Sequence, residues 1–284
     1  VKYYIIIPAH NEGLFLTDAL QSVVTQTLPP KRVVVVNDNS SDNTEQIIDS
    51  FTAKYSYISK INAHSSTAHL PGSKVVNAFN KGLEQLDDDY DFIVKLDADI
   101  ILPDSYFEKV AKIFSKDVKI GLAGGFAYEQ DKNGDWKLNH PMDKDHVRGA
   151  FKAYSKRCFR AIGGLKTAMG WDTVDELLAQ YNGFNIYTDS NLQVKHLRPL
   201  GNAYNKKAKL LQGKAMYTMR YGLLITLIAS VKMALKQKKL RAFLDNLQGY
   251  FLANKEKTDF LVSPVEGKFI RQLRWRKIKA KLFR

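Results

Sequence analysis

The chain is constrained most by a series of short, continuously apolar, β-branched runs set among helical patterns. Tyr3-Tyr4-Ile5-Ile6-Ile7 shows no polar alternation, so a strand formed there must be covered on both faces. Pro8 has no N–H to give to a ladder and closes the run. Leu16, Leu20, Val23 and Val24 then recur at helical spacing. A second buried strand is predicted over residues 33–36, ended by Asn37-Asp38-Asn39-Ser40. Asp42 and Glu45 predict a capping box for a helix through Phe51. A third strand is expected over 57–61. A helix follows over 74–86, with Val75, Ala78, Phe79 and Leu83 on one face. A fourth strand, 92–96, ends in Asp97-Ala98-Asp99. Strand and helix alternating at this pitch predict βαβ units and a mostly parallel sheet. Ligands bind such sheets beyond the carboxyl ends of the strands, where residues 8–12, Asp38, Asp97 and Asp99 fall.

The middle of the chain is less regular. Residues 121–125 read as a strand end, 128–146 as a polar loop or hairpin excursion, and 150–155 as a strand. Gly163-Gly164 marks a turn, and 172–180 a short helix. After Pro199 the pattern becomes helical. Met216, Met219, Leu223, Leu227, Ile228, Val231 and Leu235 form one apolar stripe. Leu240, Phe243, Leu244, Leu247 and Phe251 form a cleaner second one. The apolar residues of 269–284 split into two arcs, which predicts a bent helix or loose coil. The expected division is therefore an α/β domain over 1–200 and a basic helical extension over 201–284.

Charge follows that division. Residues 201–284 hold 20 of the 43 Lys and Arg but 4 of the 29 Asp and Glu, a net +16 against −2 for the rest. Such an extension seeks a polyanion. Three readings stay open: solvated charges on helices packed against the body, an anionic membrane surface meeting Phe, Trp, Leu and eight cations of 268–284, or nucleic acid. No zinc finger or other recognised nucleic-acid module accompanies the charges, which disfavours the last. The single cysteine, Cys158, excludes an internal disulfide framework and a Cys-rich zinc site; it fits a buried apolar position. Hydrophobic residues at 45% and charged at 25% argue against global disorder. The first strand-like run starts at Tyr3, so no signal peptide is expected before it. The longest apolar stretch, 222–231, is far short of the ~20 residues that span a bilayer.

Asp97 and Asp99 are the most informative residues. Positions i and i+2 on a strand point the same way, so two carboxylates converge at the open end of the sheet. Like charges held close call for a cation, and oxygen ligands favour Mg²⁺ or Mn²⁺, which would neutralise a departing nucleoside diphosphate. The plainer alternative is a solvated turn. Asp38 could accept hydrogen bonds from a base or ribose, or serve only as an Asx turn residue. Glu12 could simply favour a helix N-terminus. His196 could complete a metal site or pack as an ordinary histidine, and Arg198 could meet a phosphate or sit on the surface. Trp171 could stack on a sugar or fill the core.

Taken together, PAHNE after the first strand, NDNSSDNT after the second, PGSKVVNAFNKG, and KLDADIILP after the fourth resemble the inverting family 2 glycosyltransferases. The resemblance covers roughly residues 3–200. It implies the GT-A fold, a nucleotide-sugar-binding Rossmann-like sandwich. By this resemblance Pro8, Ala9, Glu12 and Asp38 embrace the nucleotide, and Lys74 adds a charge near its phosphates. Asp99 touches the metal directly, and Asp97 works on ribose or through water. His196 matches a further metal ligand. The family's general base follows a Gly-Gly segment at a helix start. Asp172 fits best here, with Asp175 the alternative, because Trp171 stands where an acidic residue is usual. The resemblance implies metal-dependent transfer of a sugar from a nucleoside diphosphate sugar, a UDP-sugar in the first place, to a hydroxyl of a saccharide or lipid-linked acceptor. It also implies cell-envelope polysaccharide or glycolipid synthesis, at the cytoplasmic side of the cell membrane. The rival readings are a non-catalytic nucleotide-sugar-binding protein and a nucleic-acid-binding or anionic-surface-binding protein driven by the basic tail.

Overall fold

The computed structural model describes residues 1–65, 72–139, 146–198 and 206–282. Pro71 of the PGSK motif, His69, His140, Phe283, Arg284 and the expected domain boundary at residue 200 lie outside the described residues.

In chain order the elements are β1 (Tyr3–Ala9), α1 (Leu16–Val24), β2 (Arg32–Asp38), α2 (Thr44–Lys54), β3 (Ile58–Ala63), α3 (Ser73–Leu83), β4 (Phe92–Leu96), β5 (Ile100–Ile101), α4 (Tyr106–Lys116), β6 (Ile120–Gln130), β7 (Trp136–Leu138), β8 (Phe151–Ser155), α5 (Lys156–Ala161), α6 (Trp171–Tyr181), β9 (Asn185–His196), α7 (Lys206–Thr218), α8 (Leu223–Gln237), α9 (Leu240–Lys255) and α10 (Pro264–Leu282). They fall into two compact units. One comprises Val1–His69, Lys74–Leu165 and Asn182–Leu200; the other Leu70–Ser73, Lys166–Tyr181 and Gly201–Arg284. By its contacts the segment carrying α6 therefore joins the C-terminal helices.

The first unit is built on a single sheet with spatial order β3-β2-β1-β4-β8-β6-β9-β5, β7 pairing with β6. The first four of these strands run parallel, as the βαβ pattern predicts. Beyond them β8 is antiparallel to both β4 and β6, β9 is parallel to β6, and β5 is antiparallel to β9. The five residues Tyr3 to Ile7 are fully buried, as expected of a strand with helices on both faces. Tyr3, Ile5 and Ile7 pack with Leu16, Leu20, Val33 and Phe107, and the Tyr3 ring stacks on Phe92 at 4.7 Å. Gly82 brings α3 onto the opposite face, where an added Cβ would lie 2.6 Å from Ile6.

One local expectation is corrected and another is narrowed. Asp42 accepts from the Thr44 N–H at 3.0 Å, but Glu45 does not reach back to complete a capping box. It binds Lys60 at 2.8 Å and Asn62 at 3.2 Å on β3 instead. A neighbouring strand offering a cation outcompetes the local cap. At the other end, of the two expected forms, a bent helix or a loose coil, residues 264–282 take the helix. A reciprocal capping box starts it: Ser263 N–H donates to Glu266 Oε2 at 2.6 Å, and Glu266 N–H to Ser263 Oγ at 3.3 Å. Pro264 at the first helical position adds to the signal.

In the second unit the stripe running from Met216 to Leu235 belongs to two helices. Arg220 and Gly222, at φ of 55° and 75°, break it. Helices α7 and α9 approach closely because Gly213 faces the Asn246 carbonyl and Gly249 faces the Leu210 carbonyl. An added Cβ would lie 1.9 and 2.0 Å from those oxygens. In an ordinary helix Gly→Ala gains roughly 1 kcal/mol. Here Gly249→Ala should instead lose about 1–3 kcal/mol through overpacking, read as a lowered urea midpoint for the C-terminal helices.

Candidate active site

The loops after β1 and β2 hold each other. Asn11 and Asn39 adopt left-handed conformations that Asn tolerates, φ 54° and 55°. Asn11 N–H donates to Ser40 Oγ at 3.0 Å, and Asn11 Oδ1 accepts from Ser41 N–H at 2.8 Å. Glu12 N–H donates to Thr44 Oγ1 at 2.8 Å, and Gly13 N–H to Asp42 Oδ2 at 2.9 Å. The turn chemistry of PAHNE and NDNSSDNT thus forms one polar rim. Pro8 and Ala9 end β1, their backbones in register with Val36 and Asn37. Asp38 ends β2, buried, its Oδ1 accepting from Ser65 N–H at 2.8 Å. Lys74 lies in the first turn of α3.

Asp97 and Asp99 follow β4. β5 then pairs with β9, placing Ile100 opposite His196, and Leu197 N–H donates to the Asp99 carbonyl at 2.9 Å. Strand pairing therefore brings residues nearly a hundred positions apart together. His196 Nε2 stands 3.4 Å from Asp99 Oδ2, and its Nδ1 2.9 Å from Glu129 Oε1. Glu129 is the register partner of His196 on β6, and Arg148 pairs with it at 3.2 Å. Arg198 lies over the Phe15 ring at 5.3 Å, pairs with Glu12 and stands 3.6 Å from Asp99 Oδ2. Lys95, buried in β4, pairs with Asp97.

The structure thus gathers Glu12, Asp97, Asp99, His196 and Arg198 into one ionic network. Sequence reasoning missed Glu129, Arg148 and Lys95. Lys95 had left a signal, a charge inside the apolar run Phe92–Leu96. Glu129 and Arg148 sit in polar sequence with nothing to single them out.

Charges in the network shape one another. Burial pushes the Glu12 carboxyl up to about 7; Arg198 opposes this, and Asp99 and Asp97 add to it. Burial also raises Asp97, against the pull of Lys95. Burial works upward on Asp99 too, but hydrogen bonding and attraction from His196, with Arg198, hold it below the usual range. His196 is raised: burial alone would lower it, and Asp99 and Glu129 outweigh that.

Among the described residues no group of three His, Cys, Asp or Glu side chains is arranged to hold a metal ion by itself. The donors nonetheless fit a hard divalent ion that takes its remaining ligands from a diphosphate. Among the described residues Asp99 Oδ1 is buried with no hydrogen-bond partner, an anionic oxygen that a cation could take as a ligand.

The second unit holds the remaining residues. Trp171 and Asp172 open α6. Trp171 is buried, and so is Asp175, whose Oδ1 accepts from Glu176 N–H at 2.6 Å. Asp172 is only partly buried.

The model of a family described as Glycosyl transferase family 2 matches residues 4–169, and the chain belongs to that family. Among curated relatives, the poly-beta-1,6-N-acetyl-D-glucosamine synthase of Staphylococcus epidermidis is 29% identical over 121 residues, 42% of this chain and 27% of the relative. An uncharacterized glycosyltransferase of Mycoplasma genitalium is 27% identical over 175 residues, 58% of this chain and 56% of the relative. The chain thus spans between a quarter and a little over half of these proteins. Solved structures share the GT-A fold. S. aureus TarS 1–349 in complex with UDP-GlcNAc gives a TM-score of 0.59 at 17% identity, covering 75% of this chain and 65% of that one. The mannosyltransferase PcManGT from Pyrobaculum calidifontis, in complex with GDP-Man and Mn²⁺, gives 0.58 at 14% identity, covering 95% and 79%.

The raised Glu12 carboxyl has a consequence for stability. Its folded value of about 7 lies above the ordinary 4.5, so the folded state binds the proton more tightly. Its contribution is complete below pH 4.5 and is lost as pH rises through 7. Glu12→Gln should flatten the fall in melting temperature across that window, which a thermal melt at stepped pH measures.

Proposed function

We propose that this chain is a metal-dependent, inverting glycosyltransferase that moves a sugar from a nucleoside diphosphate sugar to an acceptor hydroxyl. The observation that carries the reading is the Asp97–Asp99 pair closing β4, with one Asp99 oxygen buried and unpartnered beside His196. Asp99, Asp97 and His196 would hold Mn²⁺ or Mg²⁺. When bound, the ion supplies positive charge against the diphosphate that leaves. Mn²⁺ in the mannosyltransferase complex supports that choice. UDP-GlcNAc in the TarS complex supports a UDP-sugar.

The chain's own groups do the rest. Pro8, Ala9, Glu12 and Asp38 form the rim that takes the base and ribose, and Lys74 adds charge toward the phosphates. Arg198 is a second cation for the leaving group, held ready by Glu12 and the Phe15 ring. Asp172 takes the proton from the acceptor hydroxyl as that oxygen attacks the anomeric carbon in line, inverting its configuration. Its partial exposure supports it over Asp175, which is buried. Trp171, being buried, supports α6 by packing.

The acceptor is a saccharide or lipid-linked hydroxyl of cell-envelope polysaccharide or glycolipid synthesis, in keeping with the polysaccharide synthase among the relatives. No helix of the described residues is long and apolar enough to cross a membrane. We place the protein at the cytoplasmic face of the cell membrane, held peripherally by its basic extension.

Calorimetry with UDP-GlcNAc and GDP-mannose, with and without Mn²⁺, tests the donor site. Wild type should bind one of them more tightly with the ion, and Asp99→Asn should abolish the difference. Asp172→Asn should keep that binding while transfer falls by about 10²–10⁴-fold. Full transfer by Asp172→Asn would remove it as the base.

A further inference from the structure

Among the described residues a row of exposed apolar side chains outside the site lies on the hairpin of α8 and α9. Leu224, Ile228, Val231 and Leu235 are exposed at spacings of four, three and four residues, which puts them on one side of α8. The buried residues Thr226, Ser230 and Ala234 occupy its opposite side. On α9, Leu240, Leu244 and Phe251 are exposed on the same spacing, with the half-buried Leu247 between them. Asn246, Gly249 and Ala253 form the packed side. Apart from the buried Ile225, each helix therefore packs mainly through small and polar residues and turns a row of large apolar side chains outward, unlike a helix serving only its own core.

The hairpin tip sharpens the pattern. Leu235 and Leu240 are 74% and 79% exposed and flank Lys236, Lys238 and Lys239, with Arg241 next in sequence. The three lysines make no ion pair among the described residues, and Arg241 has only Asp245, at 3.9 Å. The extreme C-terminal helix is different. On α10, Ile270 is buried, Arg271 donates to the Arg220 carbonyl at 2.8 Å and Arg274 to the Tyr221 hydroxyl at 2.5 Å. Two of the eight cations of 268–284, Arg271 and Arg274, are thus engaged in holding α10 in place.

We infer that the exposed faces of α8 and α9, led by the tip from Leu235 to Arg241, dock on an anionic lipid bilayer. The inference rests on the peripheral membrane association proposed above and moves its contact from residues 268–284 to this hairpin. Charge complementarity selects the occupant. Leucine and phenylalanine bordered by lysine match the boundary between acyl chains and anionic headgroups. A protein partner would place lysine where interface cores are depleted of it. Nucleic acid would meet the cations and leave the apolar stripes uncovered.

Vesicle flotation of the full chain tests this, using phosphatidylcholine alone and phosphatidylcholine mixed with phosphatidylglycerol. Wild type should float with the mixed vesicles, less so as salt rises. Leu235→Ser/Leu240→Ser should weaken partition by roughly tenfold or more, with an unchanged circular-dichroism melt because both residues are exposed. Arg276→Gln/Lys279→Gln on α10 should lose far less. A Leu240→Trp variant should shift its emission to the blue on mixed vesicles only. Binding that survives the leucine changes but not the α10 changes overturns the hairpin and keeps the membrane reading. Failure of wild type to float with either vesicle overturns both. A wild-type dimer that the leucine changes disperse, with no flotation, assigns the surface to a second copy and overturns the inference as well.

Discussion

Two carboxylates closing a buried strand repel each other and lose solvation, and the architecture around β4 answers that constraint. Lys95 reaches Asp97 from within the same strand, while His196 and Arg198 approach Asp99 from the end of β9. The short β5 exists as a pairing partner that sets His196 beside Asp99. The parallel register of β6 and β9 then sets Glu129 beside His196, and Arg148 balances Glu129 in turn. Neutralisation stops one oxygen short: among the described residues Asp99 Oδ1 keeps no partner. A buried anionic oxygen without compensation is costly, and the proposed site for a divalent ion with its diphosphate would account for it.

Much of the first unit was legible because its signals are local. Continuous β-branched runs predict buried strands, and Asn39 and the Asp97-Ala98-Asp99 step mark where two of them stop, whereas β1 runs through Pro8 to Ala9. Glu12, Asp38, Asp97 and Asp99 all fall at or just after strand ends, so the general rule for parallel sheets found the rim. Glu129 and Arg148 could not be found this way. Their importance comes from the register between β6 and β9, and no local pattern encodes which strands meet across a crossover of this length.

The second unit shows a different limit. Apolar periodicity located α8 and α9 but not the direction in which their stripes point. Packing of α7 against α9 is set by Gly213 and Gly249, where backbone meets backbone, so the leucines are left outside. For α10 the two-arc pattern left a bent helix or a loose coil open; Ser263-Pro264-Val265-Glu266 starts the helix and arginine bonds to residues 220 and 221 hold it. Capping chemistry and side-chain-to-backbone bonds outweigh weak amphipathicity there.

The central claim is that Asp99 offers its free oxygen to a divalent ion shared with a nucleotide diphosphate. An anomalous difference map at the manganese edge, from crystals grown with Mn²⁺ and UDP-GlcNAc, examines that atom directly. The account predicts a peak within coordination distance of Asp99 Oδ1, contacting diphosphate oxygens. A map with bound nucleotide but no peak there, and Asp99 still paired only with His196 and Arg198, would contradict it.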